Sequence, residues 1–354
     1  MSEYLLCKDL LAQLVQRGGT DLLLSPGQPP KARIDKNLVS LGMQKLLPAD
    51  TKALTDQIMD EGQKKRFEED FEIDFSFGIP NVSRFRANIF KQRGSVSAAF
   101  RSIPYRIKSF EDLNLPAIVN DMCEKPNGLV LVTGPTGSGK STTLAAMIDR
   151  INSSRASHII TIEDPIEYLH THKNCTVDQR EVYSDTKSFA RALRSILRQD
   201  PDVVLLGEMR DAESIQAALT IAETGHLCFA TLHTNSCSQT LARIVDVFSG
   251  DKQQQVRTQL AMALNCVMTQ ILLPRIGGGL QLGIEIMVVT SAIKSMIREQ
   301  KIHNIDNQIQ LGSKYGMQTM NQSLTELIRT GKVSETDALM ASPDRDDLRK
   351  LIIR

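Results

Sequence analysis

The sequence contains no tryptophan, and aromatic residues fill only 5% of its 354 positions. Proteins that grip single-stranded nucleic acid stack bases on aromatic side chains along a basic groove, and this chain has little to build one from. It also lacks an excess of either charge: 42 basic residues stand against 41 acidic ones. No long Lys/Arg block appears, which argues against holding nucleic acid by bulk charge. No apolar run approaches the roughly 18 to 20 residues of a membrane span. The opening MSEYLLCKDLLAQLVQRGG carries Glu3 and Asp9 where a signal peptide would be basic, so a cytosolic protein is expected. No Cys-x-x-Cys pair occurs among Cys7, Cys123, Cys175, Cys228, Cys237 and Cys266. Reduced, mostly buried thiols are the expectation.

The chain is longer than the roughly 250 to 300 residues at which one core stops growing, so about two domains are expected. Apolar residues at helical spacing from Tyr4 to Gln16, stopped by Gly18-Gly19, predict a helix. TDLLLSPGQPP and KARIDKNLVSLG read as short extended segments. PADTKALTDQIMDEGQKKRFEED returns to helical spacing, with Pro48 near its start. FEIDFSFG, SRFRANIFKQRG and SVSAAFRSIP alternate with period two and predict a three-stranded meander. Alternation puts Phe85, Ala87 and Ile89 on one face and Arg84 and Arg86 on the other, while Arg101 shares a face with Ser97 and Ala99. Beyond residues 105 to 115 the rhythm changes. LVLVTG, HIITIE, DVVLLGE and LCFATLH are near-continuous apolar strands between helices, the pattern of a parallel sheet covered on both faces. After Asn235 mostly helices are expected, among them QQQVRTQLAMALNCVMTQILL and SAIKSMIREQ, with one strand at LQLGIEIMVV.

GPTGSGKS, Gly134 to Ser141, fits G-x-x-x-x-G-K-[ST] and lies between an apolar strand and a helical run. In such a loop the glycines let backbone N–H groups turn inward around phosphates, so Gly134, Thr136, Gly137, Ser138, Gly139, Lys140, Ser141 and Thr142 are the candidate nucleotide contacts. Lys140 would reach the β and γ phosphates, and Ser141 would ligate Mg²⁺. Two acidic segments, IEDPIE and LLGEMRD, stand at strand ends, where open parallel sheets bind ligands. Glu208 suits polarising an attacking water, directly or through Mg²⁺, and Glu163 or Asp164 suits holding a metal-bound water. TLHTNS brings Thr231, His233 and Thr234 to the same rim, where His233 can sense the γ-phosphate. His170, His172 and Cys175 in YLHTHKNC have the character of soft metal ligands, with no fourth ligand nearby.

With GPTGSGKS, TIEDPIE, LLGEMRD and TGHLCFATLHTN in this order, the chain resembles the secretion-type hexameric ATPases, whose Walker A, Asp box, Walker B and His box these match. GGTDLLLS, SRFRANIF, VDQREV, LRQDPDVVLLGEMRD and YGMQTMNQSL are similar to the type IV pilus retraction ATPases within that family. The resemblance implies an α/β chain: a small α+β PAS-like domain over residues 1–105, a linker over 106–114, and a RecA-like domain with a parallel-rich sheet and helical end over 115–354. It implies ATP and Mg²⁺ as cofactors, with Ser141, Glu163 and Glu208 around the metal, partly through water. It implies a homohexamer that works with an inner-membrane pilus platform protein and a retraction accessory ATPase, at the inner face of the cytoplasmic membrane. Hydrolysis would then drive pilus retraction and twitching. The resemblance also places Arg84, Arg86 and Arg101 near the nucleotide. AIKSMIRE, Ala292 to Glu299, resembles the family's A-I-R-N-L-I-R-E, with Lys294, Ser295 and Met296 as departures; Leu23 replaces a customary His. The alternatives are an accessory paralogue, an extension or type II secretion ATPase, which usually carries a Cys-x-x-Cys module, and a DNA-binding RecA-like ATPase.

Overall fold

The computed structural model describes residues 6–34, 37–103 and 106–353. Its described residues fall into two compact units, one running to Arg106 and including Pro165–Leu169, the other comprising Ile107–Asp164 and the chain from His170 onward.

The first unit begins with α1 (Cys7–Gln16), whose Leu10, Leu11 and Leu14 are buried at helical spacing; Tyr4 and Leu5 lie outside the described residues. Then come β1 (Asp21–Leu24), β2 (Lys31–Ile34), β3 (Asn37–Ser40), α2 (Pro48–Asp56), α3 (Glu61–Asp70), β4 (Glu72–Ile79), β5 (Ser83–Gln92) and β6 (Ser95–Ile103). All six strands form one antiparallel sheet in the order β3-β2-β1-β6-β5-β4. The meander forms as the alternation predicts, with Phe85, Ala87 and Ile89 fully buried. Phe77 stacks on Phe85 at 5.7 Å and meets Phe100 edge-on at 6.2 Å. The helical reading of residues 48–70 is corrected to two helices. Asp60 interrupts it: its side chain accepts from Gln63 N at 2.7 Å while Gln63 returns a bond to Asp60 N, a reciprocal cap that starts a new helix.

The second unit contains α4 (Phe110–Leu113), α5 (Ile118–Cys123), β7 (Gly128–Thr133), α6 (Lys140–Ser154), β8 (His158–Glu163), β9 (Thr176–Glu181), α7 (Phe189–Ile196), β10 (Val203–Leu206), α8 (Ala212–Glu223), β11 (Leu227–Leu232), α9 (Cys237–Asp246), α10 (Gly250–Ala263), β12 (Leu264–Pro274), β13 (Leu280–Val288), α11 (Ser291–Arg298), α12 (Ile305–Leu311), α13 (Met320–Arg329), α14 (Glu335–Ala341) and α15 (Arg345–Ile353). Helix α4 falls inside the segment expected as a linker, capped reciprocally by Ser109 and Asp112. The seven strands are ordered β13-β12-β7-β11-β10-β8-β9, parallel throughout except where β13 closes the edge antiparallel to β12. Strands β7, β10 and β11 are buried at every residue, as an apolar run without alternation requires in a sheet covered on both faces.

Two readings fail here. Strand β9 was not anticipated, because an edge strand of sequence TVDQRE exposes enough polar residues to lose the apolar signal. The helix expected through QQQVRTQLAMALNCVMTQILL ends at Ala263, and Leu264–Pro274 is a strand wedged between β7 and β13. An apolar run buried on both sides carries neither period, so its type is decided by what it packs against. Among the described residues no helix is long and apolar enough to cross a membrane.

Phe85 fills the centre of the first unit. Phe85→Ala should cost about 3 to 5 kcal/mol there, lowering the denaturation midpoint followed by far-UV circular dichroism. An unchanged midpoint would show that the first unit does not depend on this core.

Candidate active site

Strands β7, β11, β10 and β8 run parallel and side by side, so their carboxyl ends emerge along one rim. Cross-links hold the ends level: Gly207 N donates to Ile162 O at 2.8 Å, Met209 N to Thr231 O at 3.0 Å, and the Thr231 hydroxyl to Gly207 O.

The phosphate loop leaves β7 at Gly134 and enters α6 at Lys140. Gly134, Gly137 and Gly139 have φ of 137°, 81° and 92°, in the left-handed region where a side chain is strained. Gly134 is doubly constrained, since a Cβ there would run into the carbonyl oxygen of Gln270 and the hydroxyl of Ser138. Strand β12 thus presses directly on the loop. Gln270 is itself buried, and its Nε2 donates to Thr143 Oγ1 of α6 at 2.8 Å. Lys140 Nζ donates to the loop's own carbonyls, Gly134 O at 2.9 Å and Pro135 O at 3.0 Å. Thr136 and Gly137 lie exposed at the loop tip, and Ser141 and Thr142 are half-buried at the helix start. The buried Ser138 hydroxyl has no partner among the described residues. An inward-curled loop ahead of a helix amino terminus, with a lysine and an orphaned hydroxyl, fits a polyphosphate.

Glu163 ends β8, buried, with its Oε1 accepting from Thr161 Oγ1 at 2.7 Å and Gln179 Nε2 at 3.2 Å. Glu208 follows β10 and is held through both oxygens. Arg210 Nη2 donates to Oε2 at 2.9 Å, and His233 Nε2 lies 3.2 Å from Oε1. Partial burial works to raise the Glu208 pKa, but the Arg210 hydrogen bond and charge, helped by His233, outweigh it and hold the carboxyl below its usual range. Thr234 turns away from the rim, bonding Thr240 Oγ1 at 2.6 Å. Sequence reasoning missed Arg210, although it stands two residues after Glu208, and it missed Thr161, Gln179 and Gln270, which carry no motif. Ser141, Glu163 and Glu208 offer the hard oxygen donors that suit Mg²⁺, an ion usually held by one or two carboxylates, water and substrate phosphates. Among the described residues no three His, Cys, Asp or Glu side chains converge on a metal position.

The remaining candidates lie elsewhere. His170, His172 and Cys175 do not form a ligand set. Burial lowers the His170 pKa to about 4, His172 Nδ1 accepts from Val177 N at 3.0 Å, and the Cys175 thiol donates to Arg155 O at 3.1 Å. In the first unit Arg86 is paired across strands with Arg101. Each is engaged locally: Arg86 forks onto Asp74 at 3.0 and 2.6 Å, Arg101 Nε donates to Asp21 at 2.9 Å, and Arg84 Nη2 donates to Ser76 Oγ at 2.7 Å. Helix α11 buries Ile293 and Ile297 and leaves Arg298 and Glu299 exposed, the latter paired with Lys301 at 2.8 Å.

A phosphate loop at the centre of a parallel sheet, with acids at the ends of two neighbouring strands and a histidine at a third, defines a P-loop nucleotide-binding protein of the RecA-like kind. Residues 109–280 match the family model described as type II/IV secretion system protein. The chain is 48% identical over 330 residues to the type IV pilus retraction ATPase PilT of Pseudomonas aeruginosa, covering 93% of this chain and 96% of that protein. It is 39% identical to the type IV pilus ATPase PilU of the same organism, over 97% and 90% of the two chains. A crystal structure of the pilus retraction motor PilT with bound ADP superposes with a TM-score of 0.93, covering 98% and 99% of the two chains. The chain belongs to the type II/IV secretion ATPase family.

The lowered Glu208 pKa gives a signed expectation. A carboxylate whose folded pKa is depressed contributes stability above its unfolded pKa and loses it as pH falls through the folded value. Removing the cation in Arg210→Ala should therefore move the acid limb of the pH–turnover profile upward. An acid limb that stays in place would show that Arg210 does not set this titration.

Proposed function

We propose that this chain is a Mg²⁺-dependent ATPase motor that drives type IV pilus retraction and hence twitching. The observation that carries the reading is the convergence of the phosphate loop, Glu163, Glu208 and His233 on one rim of a chain 48% identical to a retraction ATPase along nearly its whole length. The PilU likeness, at lower identity, keeps an accessory motor as the second reading.

Each residue's role follows from its chemistry. The loop N–H groups and Lys140 bind and orient the triphosphate, the lysine exchanging its two loop carbonyls for phosphate oxygens. Bound Mg²⁺, held by Ser141 and through water by Glu163 and Glu208, would neutralise charge on the phosphates. Glu208 orients the attacking water and takes its proton, which requires its carboxylate to leave Arg210. His233 reports on the γ-phosphate from the neighbouring strand. Thr161 and Gln179 hold Glu163 in place.

The family resemblance supports assembly as a homohexamer with Arg84, Arg86 and Arg101 contributing to the nucleotide site, and work with an inner-membrane pilus platform protein and an accessory ATPase. It also supports a cytoplasmic, peripheral location, the residue 1–105, 106–114 and 115–354 division, and no role for nucleic acid. A guanidinium brought onto the transferring phosphoryl is worth about 10³ to 10⁵ in rate; here it must first exchange an aspartate.

Lys140→Ala should lose both nucleotide affinity and turnover. Glu208→Gln should bind ATP yet turn over about a hundredfold more slowly or worse, the scale of a positioned acid or base. Near-normal turnover by Glu208→Gln, measured as phosphate release, would move the base to Glu163. On α11, exposed substitutions ordinarily shift stability within about 0.5 kcal/mol. Arg298→Ala with Glu299→Ala should accordingly leave ATPase rate and assembly intact while twitching is lost. Normal twitching would reduce α11 to a packing helix.

A further inference from the structure

Across three strands of the second unit's sheet runs a row of buried polar side chains. Thr133 ends β7 immediately before the phosphate loop, its register partner on β12 is Thr269, and Thr269 stands opposite Glu285 on β13. All three are buried. Register partners project to the same face of a sheet, and the Thr133 and Thr269 hydroxyls bond at 2.8 Å. The amino terminus of α9 meets this row. The Cys237 sulfur lies 3.7 Å from Thr269 Oγ1, and Cys237 N donates to Glu285 Oε1 at 2.6 Å. Glu285 Oε2 accepts from Met320 N at 3.4 Å. One carboxylate thus takes the first amide of two helices, α9 and α13.

Neither helix needs it in order to start. Ser236 Oγ already caps α9, accepting from Gln239 N at 3.1 Å, and Thr319 Oγ1 caps α13, accepting from Gln322 N at 3.2 Å. Burial raises the Glu285 pKa, opposed by the hydrogen bonds from Cys237 and Met320 and reinforced by Asp306 of α12. A carboxyl group kept out of water is costly, and what it holds in return is the place of α9 against the sheet.

The segment ahead of α9 gives that place a consequence. Thr234 Oγ1 bonds Thr240 Oγ1 at 2.6 Å, Asn235 N donates to Gln239 Oε1 at 2.9 Å, and Thr240 Oγ1 donates to Ser236 O at 2.8 Å. Residues 234–236 are therefore fastened to the first turn of the helix, and a displacement of that turn carries His233 with it. His233 Nε2 lies 3.2 Å from Glu208 Oε1.

We propose that Glu285 is a positioning residue for the γ-phosphate sensor: its carboxylate fixes the amino terminus of α9 and, through it, holds His233 beside Glu208. In that role, which rests on the ATPase reading, Glu285 acts through Cys237 and not on the nucleotide.

Phosphate release is measured against ATP concentration for the full chain with Glu285→Ala, Glu285→Gln and His233→Ala, and with Glu285→Ala and His233→Ala combined. Glu285→Ala should lower kcat about ten- to a hundredfold, the scale of a misplaced group near the reacting atoms. KM should stay within about threefold, since the phosphate loop is untouched. Glu285→Gln keeps an oxygen that can accept from Cys237 N, so kcat should return to within about threefold of the unsubstituted chain. In the His233→Ala background, Glu285→Ala should lower kcat by no more than about a further twofold, because the group it positions is gone. Full kcat in Glu285→Ala or in His233→Ala, equal losses in Glu285→Ala and Glu285→Gln, or the same loss with and without His233 overturns the proposal. If the unsubstituted chain releases no phosphate, the ATPase reading fails and takes this role with it; any of the other results against an active unsubstituted chain overturns the role alone. Should Glu285→Ala fail to fold by circular dichroism, Cys237→Pro removes the same bond from the donor side. Proline suits the first residue of a helix, and Ser236 before it is extended, with φ −152° and ψ 162°. The same kcat loss, absent in the His233→Ala background, is expected there, and an unchanged kcat overturns the proposal.

Discussion

Everything in the second unit depends on four parallel strands ending together. Strand β7 delivers the phosphate loop, β11 delivers His233, β10 delivers Glu208 and β8 delivers Glu163, in that spatial order. Because the strands pair in parallel register, a residue's place at a carboxyl end becomes a place at the rim. The cross-links through Gly207, Met209 and Thr231 keep those ends from sliding. Strand β12 completes the constraint from the other side: Gly134 tolerates no Cβ because the Gln270 carbonyl occupies that space. A core of near-continuous Val, Ile and Leu is therefore as much a part of the phosphate site as its glycines.

The electrostatics at the rim describe a site poised away from turnover. Lys140 is satisfied by two loop carbonyls and Glu208 by Arg210 and His233. A carboxylate whose pKa is pulled down by a cation is a weaker base than a free one. In the proposed mechanism, binding a triphosphate would replace the carbonyls around Lys140, and freeing Glu208 from Arg210 would restore its basicity. For Lys140 the change would exchange carbonyl acceptors for phosphate oxygens, so its buried charge would stay paired. The same reasoning applies to Arg86 and Arg101, which are committed to Asp74 and Asp21 in the first unit. Any role for them at a phosphoryl group is a competition between carboxylate and phosphate for one guanidinium.

Helices α11 and α7 are both amphipathic, each with one apolar face in the core. In α11 the apolar residues Ile293 and Ile297 anchor the helix, while the charged end at Arg298 and Glu299 stays in solvent. In α7 the same division buries Ala192, Leu193 and Ile196 and leaves Arg191 and Arg194 exposed, the latter paired with Glu213 at 2.8 Å. One pattern of burial thus produces, in two places, a charged face at the surface.

The phosphate loop, the strand-end acids and the arginine face of the meander were legible in the sequence, because each rests on local rules: glycines at positions of positive φ, apolar runs that must be buried on both faces, and strict alternation of side chains. Where those rules are silent, tertiary structure decided. Leu264–Pro274 carries no period that separates helix from strand, and it became β12 because a place beside β7 was open to it. Asp60 could not be known to cap a second helix until the chain had turned there. The partners of Glu208, Glu163 and Thr143 came from residues up to 127 positions away in the chain, or from side chains whose identities carry no motif. The motif marked the candidate phosphate contacts; packing determined which groups hold them, because hydrogen-bond partners across a sheet follow strand order, and strand order is set only when the whole core closes.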